Sequence, residues 1–335
     1  MSIYQNRLFF AFVAAVTLGL LCSSKNGPEK PLFGENHVAL ELKVAKEFRF
    51  VAFGDTRFHD PADTEAANPG IRHALVAAID KEKPAFVCIG GDIVYVGDNP
   101  KDWQVWDSET AIWREHKIPV YPVLGNHDLK GDLQTALRNY FARFPEIQNS
   151  RFYSLQVGNT LMLVLDSSLG ELSGVQGDWL RSQLDHLPSS ADFVFLLYHH
   201  PSYTSSSDDK TYGGGHSARG TERALAEFLE QRQRRTRARF VVFNSHVHNY
   251  ERHEHGGITY FVTGGGGAHA YPIVRHAEDP YKDPGVNYHY LLVEVDPNRL
   301  TVTMNKVELK DGKEIWSQPD SVTITAPAAL PAAAD

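Results

Sequence analysis

The chain has 335 residues, of which 42% are hydrophobic and 22% are charged, an ordinary composition for a globular protein. Its formal net charge of −8 disfavours nucleic-acid binding, because that binding depends mainly on Lys and Arg contacts with phosphate. The length fits one large domain or two modest ones, so it leaves the domain count open.

The first predicted element is a signal peptide at residues 1–24. Arg7 precedes an apolar run over residues 8–22, which is too short for a comfortable membrane span. An uncleaved N-terminal anchor and a lipid-modified Cys22 stay open as alternatives. After removal of the leader only Cys88 remains, so no intrachain disulfide is expected. We therefore expect a secreted or periplasmic protein with no membrane span once the leader is removed.

Apolar runs alternate with amphipathic stretches over residues 45–325, which predicts one α/β domain. Buried strands are predicted at residues 48–53, 85–89, 120–123, 161–165, 193–198, 240–243 and 258–263, and a final hairpin at 288–295 and 300–307. Helices are predicted at residues 103–116, 133–144, 177–187 and 221–233, and one more begins at Asn68-Pro69. The Ala- and Pro-rich residues 326–335 are predicted to be a disordered tail.

Five short segments with polar side chains lie at or just after the ends of predicted strands. They are Gly54–Arg57, Gly91–Tyr95, Gly125–Asp128, Tyr198–Pro201 and Ser245–Arg252. A single Gly-Asp pair is usually a turn, so no one segment is strong evidence. Together they bring carboxylates, an amide, imidazoles and a phenol to one edge of the predicted sheet. Such oxygen and nitrogen ligands without thiolate suit Fe, Mn, Zn or Mg.

In its order and spacing this set resembles the calcineurin-like metallophosphoesterase superfamily, and within it the purple acid phosphatases. The blocks that carry the resemblance are Gly-Asp, Gly-Asp-x-x-Tyr, Gly-Asn-His-Asp, His-x-Pro and His-x-His, and they cover about residues 48–252. The resemblance implies a four-layer α/β/β/α sandwich, with two mixed sheets flanked by helices and two metals at one end. It makes residues 45–325 a metallophosphoesterase catalytic domain.

The resemblance also implies two groups of metal ligands that share one carboxylate. One metal is held by Asp55, Asp92, Tyr95 and His248, and the other by Asp92, Asn126, His199 and His246. A free tyrosine ionises only near pH 10, so phenolate binding by Tyr95 favours the strongly acidic ion Fe(III) at that position. Fe(II), Zn or Mn is expected at the other. The implied reaction is hydrolysis of a small phosphomonoester by a metal-bound hydroxide.

Further residues receive roles from the same resemblance. His127 is expected to protonate the leaving group, and His216 to bind phosphate or share that proton transfer. Asp128 and His200 are expected behind the ligands, Asp128 fixing the tautomer of a neighbouring imidazole. Arg57 stands where purple acid phosphatases usually have Gly. It either binds substrate phosphate or turns outward to a surface carboxylate such as Asp60 or Asp63.

Two other functions stay open. A phosphodiesterase of the same superfamily is the first alternative, because the pocket loops, including residues 202–219, decide between the two substrates. A non-catalytic metal- or ligand-binding surface protein is the second, although all seven expected ligands are present. The arginines at 232–239 are interpreted as a solvated helix end rather than a nucleic-acid site.

Overall fold

Two seven-stranded sheets pack face to face at the centre of the molecule. The computed structural model describes residues 36–207 and 216–328. Sheet A contains, in spatial order, β1 (His37–Leu42), β5 (Phe152–Val157), β6 (Thr160–Val164), β7 (Phe193–Leu197), β8 (Arg239–Asn244), β10 (Ile258–Thr263) and β9 (Tyr250–His255). Sheet B contains β13 (Lys313–Ser317), β12 (Arg299–Lys310), β11 (Tyr288–Val295), β2 (Phe48–Phe53), β3 (Val87–Ile89) and β4 (Val120–Pro122), and β14 (Ser321–Thr325) also pairs with β12.

Both sheets are mixed, and each has a parallel centre. Strands β2, β3 and β4 run parallel in sheet B, as do β6, β7 and β8 in sheet A. The flanking pairs β11–β12 and β9–β10 are antiparallel. The parallel centres matter for function, because polar loops gather at the carboxyl ends of parallel strands.

Helices cover the outer face of each sheet. The chain forms α1 (Pro69–Glu82), α2 (Pro100–Glu109), α3 (Ala111–Glu115), α4 (Leu133–Arg143), α5 (Gly174–Asp185) and α6 (Gly220–Gln233), with a 3₁₀ turn at Pro145–Ile147. Apolar side chains of α1 to α4 join the core of sheet B, and those of α5 and α6 join the outer core of sheet A. The expected four-layer α/β/β/α sandwich is therefore confirmed.

Strand β7 explains why the central strands read as continuous apolar runs. Phe193, Phe195 and Leu197 belong to the core between the sheets, whereas Val194 and Leu196 pack against the outer helices. A strand that is buried on both faces has no polar face to show in its sequence.

The predicted elements agree with the structure except at their margins. Asn68 caps α1 as expected, because its side-chain oxygen accepts a hydrogen bond from the backbone N–H of Ile71 at 3.1 Å. The single helix predicted at 103–116 is instead two helices. They separate at Thr110, whose hydroxyl donates to the carbonyl of Trp106 at 2.6 Å and competes with the helical backbone.

Several edge strands were not predicted. The first of them, β1, pairs with β5 and lies before residue 45, where the domain was expected to begin. The predicted leader, residues 1–24, lies outside the described residues, and so do residues 329–335 of the predicted tail. Among the described helices, none combines the length and apolar composition that crossing a membrane requires.

Candidate metal centre

The predicted ligands lie at the carboxyl ends of strands from both sheets. Asp55, Asp92, Tyr95 and Asn126 follow β2, β3 and β4 of sheet B, whereas His199, His246 and His248 follow β7 and β8 of sheet A. The sequence predicts that all these ligands lie at one edge of a single sheet. The structure corrects this prediction, because the ligands follow parallel strands of two packed sheets whose carboxyl ends lie at the same end of the sandwich. Carboxylates thus come from one sheet and imidazoles from the other.

One ligand group is centred on His199. Its Nε2 lies 3.1 Å from Oδ1 of Asn126, 3.2 Å from Nδ1 of His246 and 3.4 Å from Oδ1 of Asp92. Its Nδ1 donates to the carbonyl of Gly90 at 2.8 Å, which leaves Nε2 as the lone-pair nitrogen. Burial lowers the pKa of His199 and keeps the ring neutral, as metal binding requires. Four potential ligand atoms therefore lie close together, and the neutral His199 ring among them can bind a cation.

A second ligand group pairs Asp55 with His248. Oδ1 of Asp55 and Nε2 of His248 lie 3.5 Å apart, and both are buried without a hydrogen-bond partner among the described residues. Nδ1 of His248 donates to the carbonyl of His269 at 2.7 Å, so Nε2 again carries the lone pair. Burial, followed by the charge of Arg57, lowers the pKa of His248 to about 3. Two orphaned buried acceptors at this distance fit a shared cation.

Ligand atoms of Asp55, Asp92 and His199 all lie within 4.8 Å of one another, which brings the two groups together. Burial and the charge of Asp92 raise the pKa of Asp55 well above its ordinary range. Burial alone would raise the pKa of Asp92, but the charge of Arg57 and the hydrogen bond from the backbone N–H of His127 lower it. Such closely spaced buried carboxylates need positive charge between them.

Asp55, Arg57, Asp92 and His246 all adopt left-handed backbone conformations, with φ of 56°, 44°, 51° and 69°. These conformations cost energy for residues other than Gly, and they cluster at functional sites.

The ring of Tyr95 lies between two imidazoles. Its centroid is 5.3 Å from that of His127 and 4.9 Å from that of His59, and Nζ of Lys130 lies 4.7 Å from the ring centre. The Tyr95 ring thus packs against His127 and His59, at the edge of the loop that carries Asp92.

Arg57 turns inward. Its Nη2 lies 3.3 Å from Oδ2 of Asp92, and its side chain is only 15% exposed. Asp63, one of the surface partners considered for Arg57, is instead paired with His59 at 3.1 Å. The structure therefore favours the pocket orientation over the surface orientation.

His127 is held by the loop after β3, which carries Asp92 and Tyr95. Its Nδ1 donates to the carbonyl of Tyr95 at 2.6 Å, and its backbone N–H donates to Oδ1 of Asp92 at 2.8 Å. This leaves Nε2 as the nitrogen that can exchange a proton with a substrate. Burial lowers the pKa of His127, although the charge of Asp92 opposes this.

His200 and His216 both lie against His246. Their ring centroids are 4.2 Å and 4.3 Å from that of His246. Nδ1 of His200 lies 2.8 Å from the hydroxyl of Ser167, and potential ligand atoms of His199, His200 and His246 lie within 4.8 Å of one another. His216 follows the undescribed residues 208–215, and its backbone N–H donates to the Ser206 hydroxyl at 3.0 Å. The two histidines extend the imidazole side of the site.

Asp128 is buried behind the ligands, but its contacts differ from those expected. Its carboxylate accepts backbone hydrogen bonds from Gly125 at 2.9 Å, Ile93 at 2.9 Å and Val94 at 3.3 Å. The tautomers of His199 and His248 are set instead by backbone carbonyls. Asp128 thus connects the loops after β3 and β4. Its short side chain binds neighbouring backbone N–H groups rather than an imidazole, because these amides are closer to it.

The loop after β10 contributes to the site and was missed in the sequence. Four consecutive glycines, Gly264–Gly267, directly follow this apolar strand. A Cβ on Gly264 would lie 2.1 Å from the carbonyl oxygen of Val247 and 2.7 Å from Oδ2 of Asp55, so only Gly fits there. The same loop leads to His269, whose carbonyl orients His248. The glycine run directly after a strand was the available signal.

Comparison with known proteins gives consistent results. A family model described as calcineurin-like phosphoesterase matches residues 48–250, more than half of the chain. Purple acid phosphatase 15 of Arabidopsis thaliana is 26% identical over 185 residues, which cover 50% of this chain and 33% of that protein. A probable cyclic nucleotide phosphodiesterase of Psychrobacter arcticus is 24% identical over 196 residues, covering 56% of this chain and 65% of that protein.

Among solved structures, a purple acid phosphatase from yellow lupin (Lupinus luteus) seeds superposes with a TM-score of 0.63 at 17% identity. The match covers 86% of this chain and 57% of the lupin protein, and it supports the fold. The chain spans less than two thirds of the length of each of these relatives.

Proposed function

This chain belongs to the calcineurin-like phosphoesterase family, and we propose that it is an exported phosphomonoesterase of the purple acid phosphatase type. The observation that carries the proposal is the meeting of two ligand groups, one around Nε2 of His199 and one between Asp55 and His248. The proposed export rests on the leader pattern at residues 1–24.

Two metal ions fit the two ligand groups, with Asp92 shared between them. We assign Asp55, Asp92, Tyr95 and His248 to an Fe(III) ion, and Asp92 with the His199 group to Fe(II), Zn or Mn. Ions bound there would supply an activated water and neutralise charge on the phosphoryl oxygens. The phenol of Tyr95 is the reason for choosing Fe(III), because a phenolate requires a strongly acidic cation.

The side chains around the ligands are suited to hold the ester and move a proton. Nδ1 of His127 donates to the carbonyl of Tyr95, so the proton for the leaving alkoxide would come from Nε2 of the imidazolium form. Arg57 lies beside Asp92, where its planar guanidinium suits two phosphate oxygens. His216, against His246, supplies a further donor for phosphate.

A phosphodiesterase is the second candidate function. The chain is about as similar to the probable cyclic nucleotide phosphodiesterase as it is to the plant phosphatase, and this similarity favours the second function. A diester needs room for a second alcohol group. Residues 208–215 of the loop at 202–219 lie outside the described residues, but Ser206 and His216 on either side of them are joined by a hydrogen bond, and His216 lies against His246 on the imidazole side of the site. The substrate preference must therefore be measured.

The purified mature protein should be assayed on p-nitrophenyl phosphate and bis(p-nitrophenyl) phosphate after reconstitution with Fe and Zn, with metal content determined on the same sample. We expect a higher kcat/KM on the monoester. Asp92→Asn should lose activity on both esters, because it weakens the ligand that both metals share. Asp178→Asn is the matched control, since its side chain is 86% exposed and, within residues 36–207 and 216–328, its ion pair is with Arg181 on the same helix.

Each outcome separates the candidates. A higher kcat/KM on the diester would replace the proposed activity by the second one. A metal-loaded protein that cleaves neither ester would favour the non-catalytic alternative.

A further inference from the structure

Arg57 lies against the carboxylate that the two metal ions would share. The two oxygens of Asp92 have different neighbours. Oδ1 accepts the backbone N–H of His127 at 2.8 Å and lies 3.4 Å from Nε2 of His199, whereas Oδ2 lies 3.3 Å from Nη2 of Arg57. One oxygen thus faces the His199 group, and the other faces a guanidinium.

The fold fixes Arg57 in this position from its backbone outward. Its N–H donates to the carbonyl of Asp92 at 2.9 Å, and its own carbonyl accepts a hydrogen bond from the buried Arg72 at 3.3 Å. Arg72 is held in turn by Glu109 at 2.8 Å. The left-handed conformation of Arg57, with φ of 44°, is maintained by these contacts. The guanidinium therefore leaves a rigid loop and has little freedom to lie elsewhere.

A guanidinium in contact with a carboxylate competes with any other cation for that carboxylate. A nearby positive charge typically lowers the affinity of a carboxylate for a proton by about ten- to thousandfold. It weakens metal binding for the same reason, and little water is present to screen the effect in a buried site. Arg57 competes mainly for one oxygen of Asp92, because it contacts Oδ2, whereas Oδ1 lies beside the His199 group.

We infer that Arg57 is a built-in counter-ion of Asp92 that weakens metal binding in the Asp55–Tyr95–His248 half of the site. The inference rests on the proposed two-metal function. It gives Arg57 a role in metal affinity that is separate from any contact with substrate.

Calorimetric titration with Mn²⁺, after a chelator has removed bound metal, tests this inference. The wild-type protein should bind two ions. Arg57→Met removes the charge and keeps a long, unbranched side chain, and it should strengthen one of the two sites by roughly tenfold or more while changing the other site much less. Arg57→Lys retains a charge and should stay closer to wild type. Arg181→Met, the loss of a remote surface charge, should change neither affinity.

The outcomes distinguish this inference from the proposed function. Two Mn²⁺ affinities that are the same in wild type and Arg57→Met would overturn the inference and leave the two-metal function intact. A wild-type protein that binds no metal would refute the proposed function and the inference with it. Circular dichroism checks that each variant is folded, and Arg57→Gln provides a second neutral variant if Arg57→Met is not.

Discussion

Glu171→Gln should change how the stability of this protein depends on pH. Glu171 and Glu222 are 1% and 0% exposed, so two carboxyl groups are buried side by side. Glu222 is bound by Arg219 through Nε at 2.9 Å and through a second contact from Nη2. Burial and the charge of Glu222 raise the pKa of Glu171 from 4.5 to about 8. The folded protein therefore holds a proton on Glu171 that the unfolded chain releases.

The sign follows from proton linkage. Because the folded state binds this proton more tightly, the free energy of unfolding falls as the pH rises from about 4.5 to about 8. Each pKa unit corresponds to about 1.4 kcal/mol, so the difference amounts to at most about 5 kcal/mol. A glutamine at 171 resembles the protonated acid and has no proton to lose. It should match wild type near pH 5 and be more stable by about 2–5 kcal/mol near pH 9.

Urea unfolding at both pH values, at a fixed metal concentration, measures this difference. Glu115→Gln is the control, because Glu115 is an exposed residue on α3 and its replacement should leave the pH dependence unchanged. The reasoning would be refuted if wild type and Glu171→Gln lost the same stability between pH 5 and pH 9. The effect also reaches the site, since Arg219 donates to the carbonyl of Ser167 at 2.8 Å and the Ser167 hydroxyl contacts His200.

Three further predictions concern the site itself. The oxidised, iron-loaded protein should absorb visible light through tyrosinate-to-iron charge transfer, and Tyr95→Phe should abolish that absorption band. An active, iron-replete wild-type protein without the band would contradict the Fe(III)–Tyr95 assignment. His127→Ala should retain both metals and lose about 10²–10⁴-fold in kcat on alkyl phosphates, but much less on aryl phosphates, because only poor leaving groups need a general acid. Equal losses on both substrates would mean that His127 is not the acid. Arg57→Gly should raise KM for monoesters, which are dianionic near neutrality, more than for diesters; unchanged constants for both would exclude Arg57 from substrate binding.

The central part of the fold could be predicted from the sequence because its strands are buried on both faces. β7 is a continuous apolar run and β2 is apolar and buried from Phe50 to Phe53, and the polar residues that follow mark their ends. Edge strands such as β1 and β14 have neither feature, because their side chains alternate between solvent and partial burial. The partner of β1, strand β5, is also distant in the chain, so local pattern could not reveal that pairing.

The identity of the candidate ligands was accessible in the same way, but their environment was not. The direction of Arg57 depended on whether Asp63 already had a partner, and His59 supplies that partner only in the folded chain. The position of Asp128 likewise depended on amides of another loop, at Ile93 and Val94. Contacts between segments far apart in sequence, Arg57 with Asp92 and Asp128 with Ile93, also decided the two cases.

The way the imidazoles are oriented bears on the kind of ester that the site can hold. Nδ1 of His199, His248 and His127 each donates to a backbone carbonyl, and burial lowers the pKa of each ring. Backbone carbonyls are neutral, so they fix the tautomers of these rings without the negative charge that carboxylates in the same place would add. The proposed trivalent and divalent ions would together carry more positive charge than two carboxylates and one phenolate carry negative charge. The surplus, increased by Arg57, suits a dianionic phosphomonoester better than a monoanionic diester, and this charge balance is the physical reason for our order of preference.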